Sequence, residues 1–220
     1  MSDPARSLAA PCSDRRRGWL LLAMLGLAFG AGLAATPAID TTTAVTIDVA
    51  LDDETYVVHA SAQVAADQEL VWGTLTDYQR LREFVPGVTR ARVLDRTGNL
   101  LTIEQVGVFS VLFVELPVQL RLLVRHTPYS TVLATLAASS AASEEATLRS
   151  FTGRYSLTPI LLPERAGVRL DYDARFALAR PLPPLIGSLF GVGAVRRTMR
   201  EQFEAMLREI ARRQAAAAAG

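Results

Sequence analysis

The sequence predicts an α+β fold in which a curved antiparallel sheet of about six to seven strands wraps around a long C-terminal helix, with two short helices after the first strand. Three observations predict it. The stretch Leu70 to Val88, LVWGTLTDYQRLREFVPGV, reads as a short helix, a turn and a second short helix placed early in the chain. Alternating apolar and polar segments then continue to about Leu178, and one long amphipathic segment follows them. Elements in this order, with a sheet closed over one helix, make a container with an internal cavity.

Each element has its own signal. In TYVVHASAQV, Tyr56, Val58, Ala60, Ala62 and Val64 alternate with Val57, His59, Ser61 and Gln63, the period of a half-buried strand, which places His59 on the polar side. Asp67 stands where a helix cap is needed, with Leu70, Val71 and Leu75 on the inner side of the helix it starts. Pro86-Gly87 ends the second short helix and turns the chain into the sheet. Val88 to Leu94 and Leu100 to Val108 flank Arg96-Thr97-Gly98-Asn99, a hairpin signal. Further strands fit Val111 to Glu115, Val118 to Arg125, Ser130 to Ala138, Leu148 to Leu157 and Val168 to Leu178. In the last of these Val168, Leu170, Tyr172, Ala174, Phe176 and Leu178 share one face, opposite Arg169, Asp171, Asp173 and Arg175, so one face is wet and the other lines a core or cavity. The terminal helix runs from about Pro184 or Ser188 to Arg213. Val192, Val195, Met199, Phe203, Met206 and Ile210 form its apolar stripe.

The domain organisation follows. Arg15, Arg16 and Arg17 precede an uncharged apolar run from Gly18 to Leu33 and then small residues, so residues 1–35 read as a signal peptide cleaved after Ala34 or Ala35, or as a membrane anchor. Residues 36–54, rich in threonine, alanine and acids, read as a linker or irregular N-terminal segment, at most a loosely paired first strand. Order is expected near Thr55. Residues 55–213 are expected to form the folded domain around the cavity, and 214–220 a disordered tail. The expected location is periplasmic or exported in a bacterium, or the inner membrane if the first segment stays as an anchor.

Composition excludes several classes. The one cysteine, Cys12, lies in the leader, so the mature domain has no disulfide and no thiol nucleophile. All 23 basic residues are arginine, which rules out Schiff-base chemistry. Without residues 1–35 the count is 19 arginines against 20 acids, a net charge of −1 that offers nothing to nucleic acid. There is no G-x-S-x-G elbow, H-E-x-x-H helix or phosphate loop, and no cofactor is expected.

The dipeptide Val71-Trp72, the run Thr76-Asp77-Tyr78 leading to Phe84-Val85-Pro86-Gly87, Gly153-Arg154-Tyr155, Leu170-Asp171-Tyr172 and Arg200-Glu201-Gln202-Phe203 carry a resemblance over roughly residues 55–213. The chain resembles the START and polyketide cyclase-dehydrase-like (SRPBCC) superfamily, particularly the bacterial branch with coenzyme Q-binding proteins. The resemblance implies a helix-grip fold and a cavity for an apolar ligand. Superfamily members differ in what they bind and whether they catalyse, so fold does not decide function.

Candidate residues are weighed on that frame. Asp171 and Asp173 share a strand face with Arg169 and Arg175, and surface pairing explains them more simply than acid–base work. The histidines, His59 and His126, have no metal-ligand spacing and read as ordinary surface or hydrogen-bonded residues; no metal is expected. Trp72, Phe84, Tyr155, Tyr172, Phe176, Met199, Phe203 and Met206 are the expected cavity lining, with methionine and aromatics suited to an adaptable apolar pocket. Prolines at 181, 183 and 184 leave Leu185, Ile186, Leu189 and Phe190 as an apolar loop, either a membrane contact or a lid.

The leading expectation is a monomeric protein that binds or transports a quinone, sterol-like or other lipid and is not an enzyme. The alternative is a polyketide cyclase- or dehydratase-like enzyme using inward polar groups among Tyr155, Tyr172, Arg154 and Glu104. A third is a protein-interaction module with a vestigial cavity.

Overall fold

One antiparallel sheet of eight strands organises the protein. The structure is a computed structural model and describes residues 45–111, 114–142, 146–163, 165–179 and 191–220. The leader and the loop with Leu185, Ile186, Leu189 and Phe190 lie outside the described residues.

The strands β1 (Thr46–Asp52) and β2 (Thr55–Val64) form a hairpin, followed by α1 (Gln68–Leu75), a 3-10 turn at Tyr78–Arg80 and α2 (Leu81–Phe84). A meander follows of β3 (Val88–Thr97), β4 (Leu100–Val111), β5 (Val114–Thr127) and β6 (Thr131–Leu136). After α3 (Ala138–Ala141) come β7 (Leu148–Leu161), β8 (Ala166–Leu178) and the long helix α4 (Val192–Ala219). The spatial order is β1-β2-β8-β7-β6-β5-β4-β3. Neighbours are consecutive in sequence except at β2 and β8, which register from Thr55 opposite Ala177 to Val64 opposite Val168. The fold is α+β with the helix-grip order, and the strand count is slightly above the expected six to seven.

The extra strand is β1, where the sequence reads as an irregular segment. Its apolar alternation is only two residues long, but Ile47 and Val49 are 5% and 6% exposed, and the hairpin register Thr46–Ser61 to Asp52–Thr55 holds it. Two other boundaries differ. The segments Val111–Glu115 and Val118–Arg125 are not two separate strands: Val111 ends β4, and β5 runs from Val114 through Pro117 with unbroken register against β4. Helix α4 continues through the alanine run to Ala219 in place of a disordered tail, because alanine has the highest intrinsic helix propensity.

Turn chemistry is local. The β3–β4 loop is Gly98-Asn99, with Gly98 at φ +58° in the first loop position as a type II′ turn requires. Gly87 has φ +81°, and a Cβ there would sit 2.7 Å from the Val108 carbonyl oxygen. Its own carbonyl accepts from the Val108 amide at 2.8 Å, so the chain enters β3 pressed against β4. Asp67 occupies the N-cap position of α1 but makes no side-chain cap bond; its backbone amide donates to the Gln214 Oε1 at 3.1 Å.

Two apolar clusters form rather than one. The first joins β1, β2 and β8 to α1 and α4, with Val58, Val71, Leu170 and Ile210 at 0% exposure. Fully burying each such side chain is worth about 1.5–3 kcal/mol. The second lies on β4, β5 and β6 and contains Leu101, Ile103, Leu120, Leu122, Val124 and Val132. The apolar stripe of α4 is seated on the first through Val195, Phe203, Met206 and Ile210.

Charges pin the far end of α4 to the small helices. Arg213 donates from Nη2 to Asp77 Oδ2 at 2.9 Å and from Nε to Glu209 Oε1 at 2.7 Å, with its guanidinium 5.6 Å from the Phe84 ring centre. Arg212 adds two bonds to Glu209, both 2.7 Å. These donors, Arg212 first, hold the Glu209 carboxyl down at about 2 against the opposing effect of burial. A depressed carboxylate contributes stability above its unfolded value of 4.5, lost as pH falls toward about 2.

Replacing Gly87 by alanine is expected to lower stability by about 2 kcal/mol in urea denaturation, from the left-handed backbone and the close carbonyl. The variant E209Q is expected to lose about 1–3 kcal/mol at neutral pH. Its deficit against the parent protein should shrink as pH is lowered below 4.5 in the same assay.

Candidate ligand cavity

Between the two apolar clusters lies a cavity of about 290 Å³. The inward positions of the sheet supply most of its wall: Ile103 and Gln105 on β4, Leu120 and Leu122 on β5, Phe151 and Tyr155 on β7, Tyr172 and Phe176 on β8. Tyr56 from β2, Leu75 and Tyr78 from the short helices, and Val195, Met199, Gln202 and Met206 from α4 complete it. The cavity exists because α4 rests on β1 and β2 and leaves the inner face of β4 to β6 without a covering helix. Among the described residues no charged side chain lines it.

Five of the eight aromatic and methionine residues expected at the cavity line it: Tyr155, Tyr172, Phe176, Met199 and Met206. Three do not. Phe203 is one position round the helix from Gln202 and is buried in the first cluster, 3% exposed. Trp72 packs edge-on to the His126 ring at 5.2 Å and against Tyr129 at 5.9 Å, so it fills the space between the clusters below the cavity. Phe84 lies under the Arg213 guanidinium.

Strand alternation also sends two expected inward groups the other way. Because Tyr155 faces in, Arg154 is exposed on the outer face opposite Asp173. Because Ile103 and Gln105 face in, Glu104 lies on the outer face. There it is 8% exposed beneath Arg92 Nε at 2.8 Å and Arg90 Nη2 at 3.2 Å. Its Oε2 meets both by proximity of charge without an aligned hydrogen bond. A larger depression of about 500 Å³ lies on that face, lined by Glu104, Gln119, Arg121, Ser139 and Ser140 among others. Its lining is polar and charged, so the smaller apolar space is the candidate site for an apolar ligand. On the outer face of β2 and β8, His59 and Ser61 bond Asp173 and Asp171 at 2.5 and 2.7 Å, and Arg169 donates to Asp171 at 2.9 Å, the surface pairing expected there. Arg175 reaches Asp52 instead, at 3.6 Å.

The polar groups that reach the interior are neutral: phenols, the carboxamides of Gln105 and Gln202, and Thr147. Tyr155 and Tyr172 are direct cross-strand partners with ring centres 4.5 Å apart. The surface each keeps faces the cavity. Burial pushes Tyr172 up to about 12 and Tyr155 higher still, the latter helped by its neighbour, so both are neutral.

Tyr78 carries no functional signal of its own in the sequence, and His126 reads there as an ordinary surface or hydrogen-bonded histidine. His126 is 8% exposed, and its Nε2 lies 2.6 Å from the Tyr78 hydroxyl on the cavity wall. Burial first, and the Arg96 charge second, lower the imidazole below 6.5, which suits a neutral ring accepting the phenol proton. The position of His126 beside Thr127-Pro128 carried no hint of this, because its burial comes from Trp72 and Tyr78 on distant helices. Among the described residues no group of three or more His, Asp or Glu gathers to hold a metal.

A sequence profile for polyketide cyclase / dehydrase and lipid transport matches residues 64–204, more than half of the chain. The chain belongs to that family. Among solved structures, the ZhuI aromatase/cyclase from Streptomyces sp. R1128 is similar in fold, with TM-score 0.57 and 15% identity over 72% of this chain and 95% of that one. The STAR-related lipid transfer protein fragment from Xanthomonas axonopodis gives 0.55 and 14% over 74% and 98%. A START superfamily protein from Mycobacterium smegmatis gives 0.53 and 16% over 71% and 97%. No curated protein matches the chain by sequence. At these identities the structural likenesses establish the helix-grip fold, and the family itself spans cyclases and lipid carriers.

A histidine held neutral contributes stability that is full above 6.5 and is lost as pH falls toward its folded-state value. Urea midpoints are therefore expected to fall as pH drops below 6.5, and to fall less steeply in H126Q.

Proposed function

We propose that this protein binds and carries an apolar small molecule, a quinone, sterol-like compound or other lipid, inside the cavity. The observation that carries the reading is the cavity itself, lined mainly by aliphatic, aromatic and methionine side chains with no charged residue among the described lining. Its volume of about 290 Å³ falls just below the roughly 300–1,000 Å³ common for small-molecule sites. That favours a compact fused-ring ligand or a single short chain. A ligand that buries about 300 Å² of apolar surface gains about 7.5 kcal/mol before the costs of association. Membership of a family that includes lipid transport agrees with this reading.

The second reading is a cyclase- or dehydratase-like reaction in the same space. One observation favours it: Tyr78 presents a phenol to the cavity while bonded to a neutral His126, an acid–base pair at 2.6 Å. The docking module with a vestigial cavity has no support from an interior of this size.

The export reading is part of the proposal. It rests on the arginine run before the apolar stretch Gly18 to Leu33. It implies a carrier working between or beside membranes, as a monomer, with residues 185–190 as its contact with a lipid surface.

Native mass spectrometry with lipid extraction, on protein taken from its host's envelope fraction, is expected to show one co-purifying apolar compound. Empty protein that binds no apolar fluorescent probe would overturn the carrier reading. M199W, which fills the cavity from the helix side, is expected to reduce probe affinity at least tenfold while leaving the thermal midpoint near that of the parent.

A further inference from the structure

One wall of the cavity carries an unused pair of hydrogen-bond donors. Tyr155 and Tyr172 face one another across β7 and β8, and among the described residues neither hydroxyl has a hydrogen-bond partner, including the other. Buried phenols normally find a partner, and leaving one unpaired is costly. Gly153 is a third observation. It sits inside β7, where a Cβ would meet the Tyr172 Oη at 3.2 Å and the Phe151 ring at 2.8 Å. Glycine in a strand interior weakens the strand and marks a place where another group approaches closely. Here the missing side chain lets the Phe151 ring and the Tyr172 hydroxyl lie against the strand at the cavity wall.

The position along the strands matters. On β8 the inward residues run from Leu178 through Phe176 to Tyr172, six residues and about 20 Å of extended chain. On β7 they run from Leu148 through Phe151 and Gly153 to Tyr155. Along these two strands the wall is apolar apart from the phenols, while Gln105 and Gln202 bring carboxamides to the cavity from β4 and α4. A ligand seated there meets hydrocarbon along its body and two donors at one end.

We propose that Tyr155 and Tyr172 together hold a neutral carbonyl oxygen at the inner end of an apolar ligand. This rests on the carrier reading and names the ligand class within it. A carbonyl oxygen has two acceptor lone pairs and no donor, so two phenols satisfy it. A hydroxyl uses one phenol as an acceptor and leaves a donor over. A carboxylate is disfavoured, because no cation lines the cavity among the described residues and a buried unpaired anion is expensive. The neutrality of both phenols fits a role as donors rather than as bases.

The probes are 9-fluorenone, fluorene and fluorene-9-carboxylate, which share a rigid ring system and differ at one carbon. Calorimetric titration of the full chain is expected to show fluorenone binding roughly tenfold tighter than fluorene, with the carboxylate weakest. Y155F and Y172F are each expected to cut the ketone preference about threefold, and the double variant to abolish it while fluorene still binds. The fluorenone carbonyl stretch should shift to lower frequency when bound to the parent protein and return in the double variant. Without ligand, both single variants should unfold at or above the parent's temperature, since the hydroxyls they lose are unpartnered; a lower midpoint would mean a structural role and overturn the proposal. Equal affinity for ketone and hydrocarbon, or a preference that survives the double variant, would overturn the carbonyl site and leave the carrier reading standing. Failure of all three probes to bind would overturn both.

Discussion

The pairing of β2 with β8 is the constraint on which the rest depends. It is the one place in the sheet where neighbours are far apart in sequence, Val64 opposite Val168. Closing so long a loop costs chain entropy, and the return comes from burial on the inner face, where Val58, Ala60, Ala62, Leu170 and Ala174 are nearly inaccessible. Several of these side chains are small, and that smallness lets α4 and α1 come down onto this half of the sheet. Without this junction the β1–β2 hairpin has no sheet to extend, and the short helices after it have nothing to cover.

The cavity is a consequence of where the helix then lies. A single helix about 10 Å across cannot cover both halves of an eight-strand sheet. It seats on β1 and β2, and the inner face of β4 to β6 keeps its own apolar cluster on the other side of a gap. The walls of that gap come from both clusters, so neither closes it alone. The Arg213 contacts with Asp77 and Glu209 hold the far end of the helix on the small helices, which keeps α4 from sliding across to fill the space.

The polarity of the interior follows from strand alternation and from reach. Charged residues on β4, β7 and β8 fall on outward positions, where Glu104, Arg154, Asp171 and Asp173 meet solvent or one another. Inward positions hold side chains that are apolar or carry a single neutral polar tip. Tyrosine suits such a place, because its ring packs as a hydrophobe while its hydroxyl stays available. The same economy places Tyr78 against His126 on the cavity wall, a pairing that joins a short helix to β5.

The sequence by itself determined the strand faces, the Gly98 turn, the early pair of short helices and the apolar stripe of the last helix, because each is a local periodicity or a local backbone demand. The family was equally legible, since its motifs are short runs. The tertiary structure alone decided which inward residues meet. Trp72, Phe84 and Phe203 carry the same chemical signal as Tyr155, Tyr172 and Met206, yet only the second set reaches the cavity, because helix rotation and strand register separate them. It also decided that β1 is a strand and that His126 is buried, since two apolar residues and one imidazole are seated by partners distant in sequence. Periodicity tells each residue which way it faces, whereas a cavity is defined by what fails to arrive from the other side, and that depends on the packing of the whole sheet against one helix.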